Sequence, residues 1–159
     1  MRPLLFMTTM LLVFNISASA SLGSNGPAFL VDDLATLASP DTAFNVSSVN
    51  NLTAVDNHFF FTSAEHRTGI ELWRSDGTTA GTTIVKDINP GSSSSTSHQL
   101  LNVQGTLFFV ADNGANGFEL WKSDGTQAGT IIVKDIRPGP HSSSPQQLAN
   151  IAGTLFFYG

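Results

Sequence analysis

Cysteine is absent from the 159 residues. No disulfide framework and no thiolate metal centre is possible, so packing and hydrogen bonding must hold the fold. Positive charge is scarce. Seven Lys and Arg stand against twelve Asp and Glu, for a formal net charge of -5, and the basic residues are scattered singly, which excludes a phosphate-binding face and nucleic acid as a partner. Long apolar runs are missing beyond the amino terminus, so no later segment approaches the length of a spanning helix. No window sustains a helical period either. What remains is the composition of a globular or repetitive domain able to bury a core.

At the amino terminus Arg2 precedes a mostly apolar run from Pro3 to Phe14, then a polar stretch ending Ala18-Ser19-Ala20. Small residues at these last positions suit signal peptidase, and the run is too short to cross a bilayer. Residues 1–20 therefore read as a secretory signal peptide cleaved after Ala20. The mature chain is expected to be secreted, extracellular or at the cell surface, with no transmembrane segment.

The dominant feature is a repeat of 48 residues. Residues 57–104 and 105–152 carry the same residue at about half their positions, which marks tandem units rather than chance. Glu71-Leu72-Trp73, Ser75-Asp76-Gly77-Thr78, Ala80-Gly81-Thr82 and Val85-Lys86-Asp87-Ile88 return as Glu119-Leu120-Trp121, Ser123-Asp124-Gly125-Thr126, Ala128-Gly129-Thr130 and Val133-Lys134-Asp135-Ile136. Residues 21–27 read as a flexible leader, 28–56 as a degenerate partial repeat, and 153–159 as the start of a truncated third repeat.

Apolar runs of four to seven residues, rich in Phe, Val, Ile and Thr and bounded by Gly, Asn, Asp, Ser and Pro, predict an all-β fold. Strands are expected at 99–103, 106–111, 118–123, 130–136, 147–151 and 154–158. Four short antiparallel strands per repeat make up a propeller blade, so the expectation is a β-propeller-like array of two full blades with partial ones. Pairing Ser75 with Thr82 sets Trp73 opposite Ile84 and Glu71 opposite Lys86, and the second copy sets Trp121 opposite Ile132 and Glu119 opposite Lys134. Such pairs contribute roughly 0.2 to 1 kcal/mol each. Pro90-Gly91 and Pro138-Gly139 should end the fourth strands. The clusters Phe59-Phe60-Phe61, Phe108-Phe109 and Phe156-Phe157 are expected in the core.

Few residues suggest chemistry. His58, His66, His98 and His141 fall at different repeat positions without metal-ligand spacing. Asp76, Asp87, Asp124 and Asp135 recur beside turn glycines or at strand ends, where turn capping accounts for them better than a carboxylate pair or calcium ligands. Asp112-Asn113-Gly114-Ala115-Asn116-Gly117 has part of a calcium-loop pattern without its distal Glu, and its counterpart 64–69 lacks the pattern. A plain Asn-Gly hairpin is expected there; Asp112 and Asn116 are the calcium ligands if one binds. Trp73 and Trp121 are expected to be buried rather than to serve as sugar platforms. No cofactor is called for.

The two octets Glu71-Leu72-Trp73-Arg74-Ser75-Asp76-Gly77-Thr78 and Glu119-Leu120-Trp121-Lys122-Ser123-Asp124-Gly125-Thr126 make the chain resemble the bacterial ELWxxDGT repeat family. The resemblance covers nearly all of residues 28–159. It implies secreted or surface proteins of many tandem copies forming β-propeller-like arrays, with no catalytic residue set in the motif. Two full copies are fewer than a closed ring needs, so the expectation is a fragment of a longer array or a protomer that assembles. A non-catalytic module for adhesion or ligand or carbohydrate binding follows from these features. The alternatives are a piece of a propeller-borne hydrolase, lyase or quinoprotein, to which Gly117-Phe118-Glu119-Leu120-Trp121 is loosely similar, or a structural protein self-associating through open sheet edges.

Overall fold

The computed structural model describes residues 49–78 and 80–159. The expected signal peptide, the leader and the partial repeat up to residue 48 lie outside these. Every regular element among the described residues is a strand, and none of them forms a helix long and apolar enough to cross a membrane.

The ten strands are β1 (Asn50–Val55), β2 (His58–Glu65), β3 (Gly69–Ser75), β4 (Thr83–Lys86), β5 (His98–Val103), β6 (Thr106–Asp112), β7 (Phe118–Ser123), β8 (Ile131–Lys134), β9 (Gln146–Ile151) and β10 (Thr154–Tyr158). They form two four-stranded antiparallel sheets, β1-β2-β3-β4 and β5-β6-β7-β8, and a hairpin β9-β10. First strands begin at 50, 98 and 146, so the sequence period is also the structural period. The sheets start ahead of Asn57 and Gly105, where the repeats were divided, because those residues lie in the turns joining first strands to second. Gln104-Gly105 and Ala152-Gly153 each hold both residues at positive φ, as a two-residue loop matching the twist of its strands requires.

Register agrees with the sequence expectation at one pair and departs from it at the next. Trp73 faces Ile84 and Trp121 faces Ile132, and the hydroxyls of Ser75 and Thr82 meet at 2.7 Å, those of Ser123 and Thr130 at 2.8 Å. Lys86 and Lys134, however, pair with Leu72 and Leu120, not with Glu71 and Glu119, because the register shifts at each Leu-Trp step. The bulge inserts Val85 or Val133 as an extra residue and turns the lysine onto the other face. The expected Glu71–Lys86 and Glu119–Lys134 pairs do not form.

The main core lies between the two four-stranded sheets. Val55, Phe60, Leu72, Val85 and Ile88 of the first meet Leu107, Phe109, Ala111 and Trp121 of the second, with Leu100 and Ile132 packed against them. Each fully buried large apolar side chain contributes about 1.5–3 kcal/mol. Phe61 and Trp73, stacked at 6.5 Å between centroids, form a second cluster on the opposite face of the first sheet with Val49 and Ile84. Phe109 and Trp121 repeat that stack at 6.4 Å.

The carboxy-terminal side differs. Val85 and Ile88 are 5% and 3% exposed, but their repeat partners Val133 and Ile136 are 43% and 39% exposed; Phe109 is fully buried, Phe157 39% exposed. Phe156 and Phe157 are therefore not core, contrary to the expectation from their sequence. β2 and β6 pair on both edges, whereas β10 pairs with β9 alone among the described residues.

Candidate binding surface

The signature side chains turn inward. Glu71 is fully buried, and its two oxygens accept the N–H groups of Ile88 at 3.1 Å and Ser95 at 2.8 Å. It thus ties the exit of β4 to the loop leading to the next sheet. Burial pushes its carboxyl up to about 7, against the opposing pull of donors on Ser95, Ile88 and Asn89. Glu119 repeats the arrangement on the N–H groups of Ile136 and Ser143, with the Ser143 hydroxyl donating as well. Leu72 and Leu120 are core residues beside them.

Asp76 and Asp124 organise the turn between third and fourth strands. Asp76 Oδ1 accepts both the N–H and the hydroxyl of Thr78, at 2.9 and 2.7 Å; Thr78 Oγ1 accepts from Gly81 N–H, and Thr82 donates back to the Thr78 carbonyl. Thr126, Gly129 and Thr130 reproduce the network on Asp124. The threonine donors hold both carboxyls below the ordinary range. A side chain at Gly81 or Gly129 would run into that carboxylate. Gly77 and Gly125 sit at φ 88° and 86°, a region costly for other residues. Asp87 and Asp135 accept from Gly91 and Gly139 N–H through Oδ2, while Oδ1 of each is buried with no hydrogen-bond partner.

Lys86 leaves its own sheet. Its Nζ donates to the Thr130 carbonyl at 2.8 Å and lies 5.8 Å from the Trp121 ring centre. Lys134, its counterpart, is exposed. Trp73 and Trp121 are buried, and the Trp121 indole donates to the Ala111 carbonyl, so neither offers a ring face to a sugar. Asp112 Oδ1 accepts from Gly114 N–H; Asn116 reaches Asp135 through its amide nitrogen and accepts from Asn113. The two loop residues named for calcium are thus engaged within the protein. No group of three or more His, Asp or Glu among the described residues could hold a metal.

A row of polar residues along the first strands, of which only His98 was singled out from the sequence, lies at or near the surface. Asn50, His98 and Gln146 open the three first strands, followed by Asn51, Gln99 and Gln147, all three of the latter at positive φ near 54° where the register slips. Their amides step from one first strand to the next: Asn51 donates to the Ser97 carbonyl, Gln99 to the Pro145 carbonyl, and Leu148 N–H to Gln99 Oε1. Asn102 and Asn150 form a second row. Each accepts from the glycine of its own hairpin turn, Gly105 or Gly153, and donates at 3.0 Å to the carbonyl one period earlier, Ala54 or Asn102. The signal was the spacing of Asn102 and Asn150 and of Gln99 and Gln147, one repeat apart. Asn50, Asn51, Gln146, Gln147 and Asn150 are exposed, so this row offers uncharged donors and acceptors to solvent.

Comparison with known proteins adds no relative: no family model, no curated protein and no solved structure matches this chain.

Proposed function

We infer that the chain is a non-catalytic repeat module of a secreted or cell-surface protein of the ELWxxDGT type, its sheets being propeller-type blades that present a polar surface for adhesion. The ligand class the surface suits best is carbohydrate. One observation carries this: amide side chains recur along adjacent first strands, where Asn50, Gln146 and Gln147 are exposed beside Asn51 and Gln99, whose own amides are held by neighbouring groups, and no Lys, Arg, Asp or Glu stands in the row. Paired amide donors and acceptors match sugar hydroxyls, and repetition at a constant period suits a polymer of repeating units. The non-enzyme reading is supported by the use of the signature carboxylates, which serve backbone amides in both copies alike. A catalytic centre requires a set of groups found once.

The reading is tested by presenting the purified chain to an array of soluble and cell-wall polysaccharides. Binding that is weakened severalfold by Gln147→Ala or Asn50→Ala, with the melting temperature unchanged, is the expected result. Binding to no glycan, or binding indifferent to both substitutions, refutes the assignment of this row.

A further inference from the structure

Two Asn-Gly pairs, Asn113-Gly114 and Asn116-Gly117, stand in the one loop that joins β6 to β7. An asparagine before glycine is open to attack on its side-chain amide by the glycine nitrogen, because no Cβ shields that nitrogen. The structure treats the two pairs differently. The ends of the loop are fixed: Asp112 N–H donates to the Ser95 carbonyl at 3.0 Å, and Phe118 N–H to the Ser142 hydroxyl at 2.9 Å. Between them the Asn113 amide oxygen accepts two backbone N–H groups, from Ala115 at 3.0 Å and Asn116 at 2.9 Å, which also settles which end of that amide is oxygen. The N–H of Gly114, the nitrogen that follows Asn113, donates to Asp112 Oδ1 at 2.7 Å. Gly114 and Ala115 are exposed, so water reaches the loop.

We propose that Asn113 is a self-modification site, at which the loop converts its own asparagine to aspartate and isoaspartate through a succinimide. The Asp112 carboxylate takes the proton of Gly114 N–H as that nitrogen bonds to Asn113 Cγ. The charge that develops on Asn113 Oδ1 is held by the N–H groups of Ala115 and Asn116, which act as an oxyanion hole. The Cγ–Nδ2 bond then breaks, and the amide nitrogen leaves as ammonia with the proton that Asp112 had taken. Water opens the five-membered ring at one carbonyl or the other, which yields aspartate or isoaspartate without any oxidant or reductant. Asn116 lacks these aids. Its amide nitrogen is tied to Asp135 Oδ2 at 2.8 Å and its oxygen accepts from the Asn113 side chain. Gly117 is buried against Ser142, where an added Cβ would lie 2.7 Å from the Ser142 nitrogen, so its backbone has no room to turn toward Asn116. The first repeat carries Glu65 and His66 in place of Asn113 and Gly114, so of the two repeats only the second can react here. The product loses the 2.9 Å bond from Asn113 to Asn116 and sets a new carboxylate next to Asp112.

The test is to age the purified full chain at neutral pH beside a synthetic peptide of residues 110–119, and to follow both asparagines by peptide mapping with fragmentation that distinguishes isoaspartate. Asn113 is expected to convert severalfold faster in the chain than in the peptide, and Asn116 severalfold slower. Asp112→Asn keeps an acceptor for Gly114 N–H but removes the base. It should slow Asn113 severalfold in the chain and leave the rate in the correspondingly substituted peptide nearly unchanged, with circular dichroism reporting that the variant chain is folded. If that variant does not fold, the comparison of the unsubstituted chain with its peptide decides alone. Conversion of Asn113 no faster in the chain than in the peptide overturns the proposal, as does conversion of Asn116 ahead of Asn113 in the chain. An unchanged Asn113 rate in folded Asp112→Asn overturns it as well.

Discussion

The ammonium of Lys86 lies 5.8 Å from the centre of the Trp121 ring, on a different sheet, with the Thr130 carbonyl accepting its proton at 2.8 Å. A lysine over an indole contributes about 0.5–2 kcal/mol. Lys86→Met should therefore lower unfolding stability by about 1 kcal/mol, whereas Lys134→Met, at the exposed counterpart, should change it by less than about 0.5 kcal/mol. Urea titrations of the two variants at matched pH decide this.

Buried Glu71 makes stability depend on pH. Its folded-state pKa, pushed up to about 7, exceeds the ordinary value of 4.5, so the native state binds more protons than the unfolded state between those two values. Stability from this group is full below about pH 4.5 and falls as pH rises through 7, by up to about 3 kcal/mol. Asp76 and Asp124 have the opposite sign: lowered pKa values remove stability only as pH falls below their unfolded range. Urea midpoints should accordingly drop from pH 5 to pH 8. In Glu71→Gln that slope should flatten, even though the amide cannot accept from both Ile88 and Ser95 and the variant is weaker throughout.

Gly81 and Asp76 should prove strongly coupled. A methyl group at Gly81 meets the Asp76 carboxylate, so Gly81→Ala should cost about 1–3 kcal/mol through displaced turn bonds. Once Asp76→Ala has removed the carboxylate, the added methyl should cost far less. A double-mutant cycle by thermal unfolding would show a coupling of about 1 kcal/mol or more, and additivity would contradict the steric account.

Equivalent phenylalanines should behave unequally. Phe109 is fully buried and Phe157 39% exposed. Phe109→Ala should cost about 3–5 kcal/mol, and Phe157→Ala less than about 1 kcal/mol in the isolated chain. Differential scanning calorimetry of both variants separates them.

The strand pattern was legible because each run is short, β-rich and closed by a turn residue, and the observed ends fall within one residue of those expected, apart from the end of β8, which comes two residues early. Trp73 and Trp121 lay opposite their isoleucines because the Asp-Gly turn sets the near part of the register. What failed was the next step along the strand. A bulge changes which face a residue occupies without changing the residue, so the partner of Lys86 could not be read by counting. The amide rows were missed for a different reason. Asn and Gln on a first strand look like solvated surface until Asn102 is seen reaching Ala54 in the preceding sheet. Burial of Phe109 but not Phe157 was illegible too, since both sit in the same local sequence and differ only in what lies beside their strands.

The clamp made by Glu71 on Ile88 and Ser95 is closed within one period, and Glu119 closes its own on Ile136 and Ser143. Each four-stranded sheet thus carries its own fastening to the linker that follows it. The junction between the two four-stranded sheets uses a separate set of bonds, Asn51 to Ser97, Thr53 to Leu100, Lys86 to Thr130 and Asn102 to Ala54. Adding or removing one whole period would leave each clamp intact, since its residues all lie within one period, and would remake only the bonds of one junction. The fastening is thus counted per unit, and the reach of such an array is set by how many units it has rather than by a change within any of them.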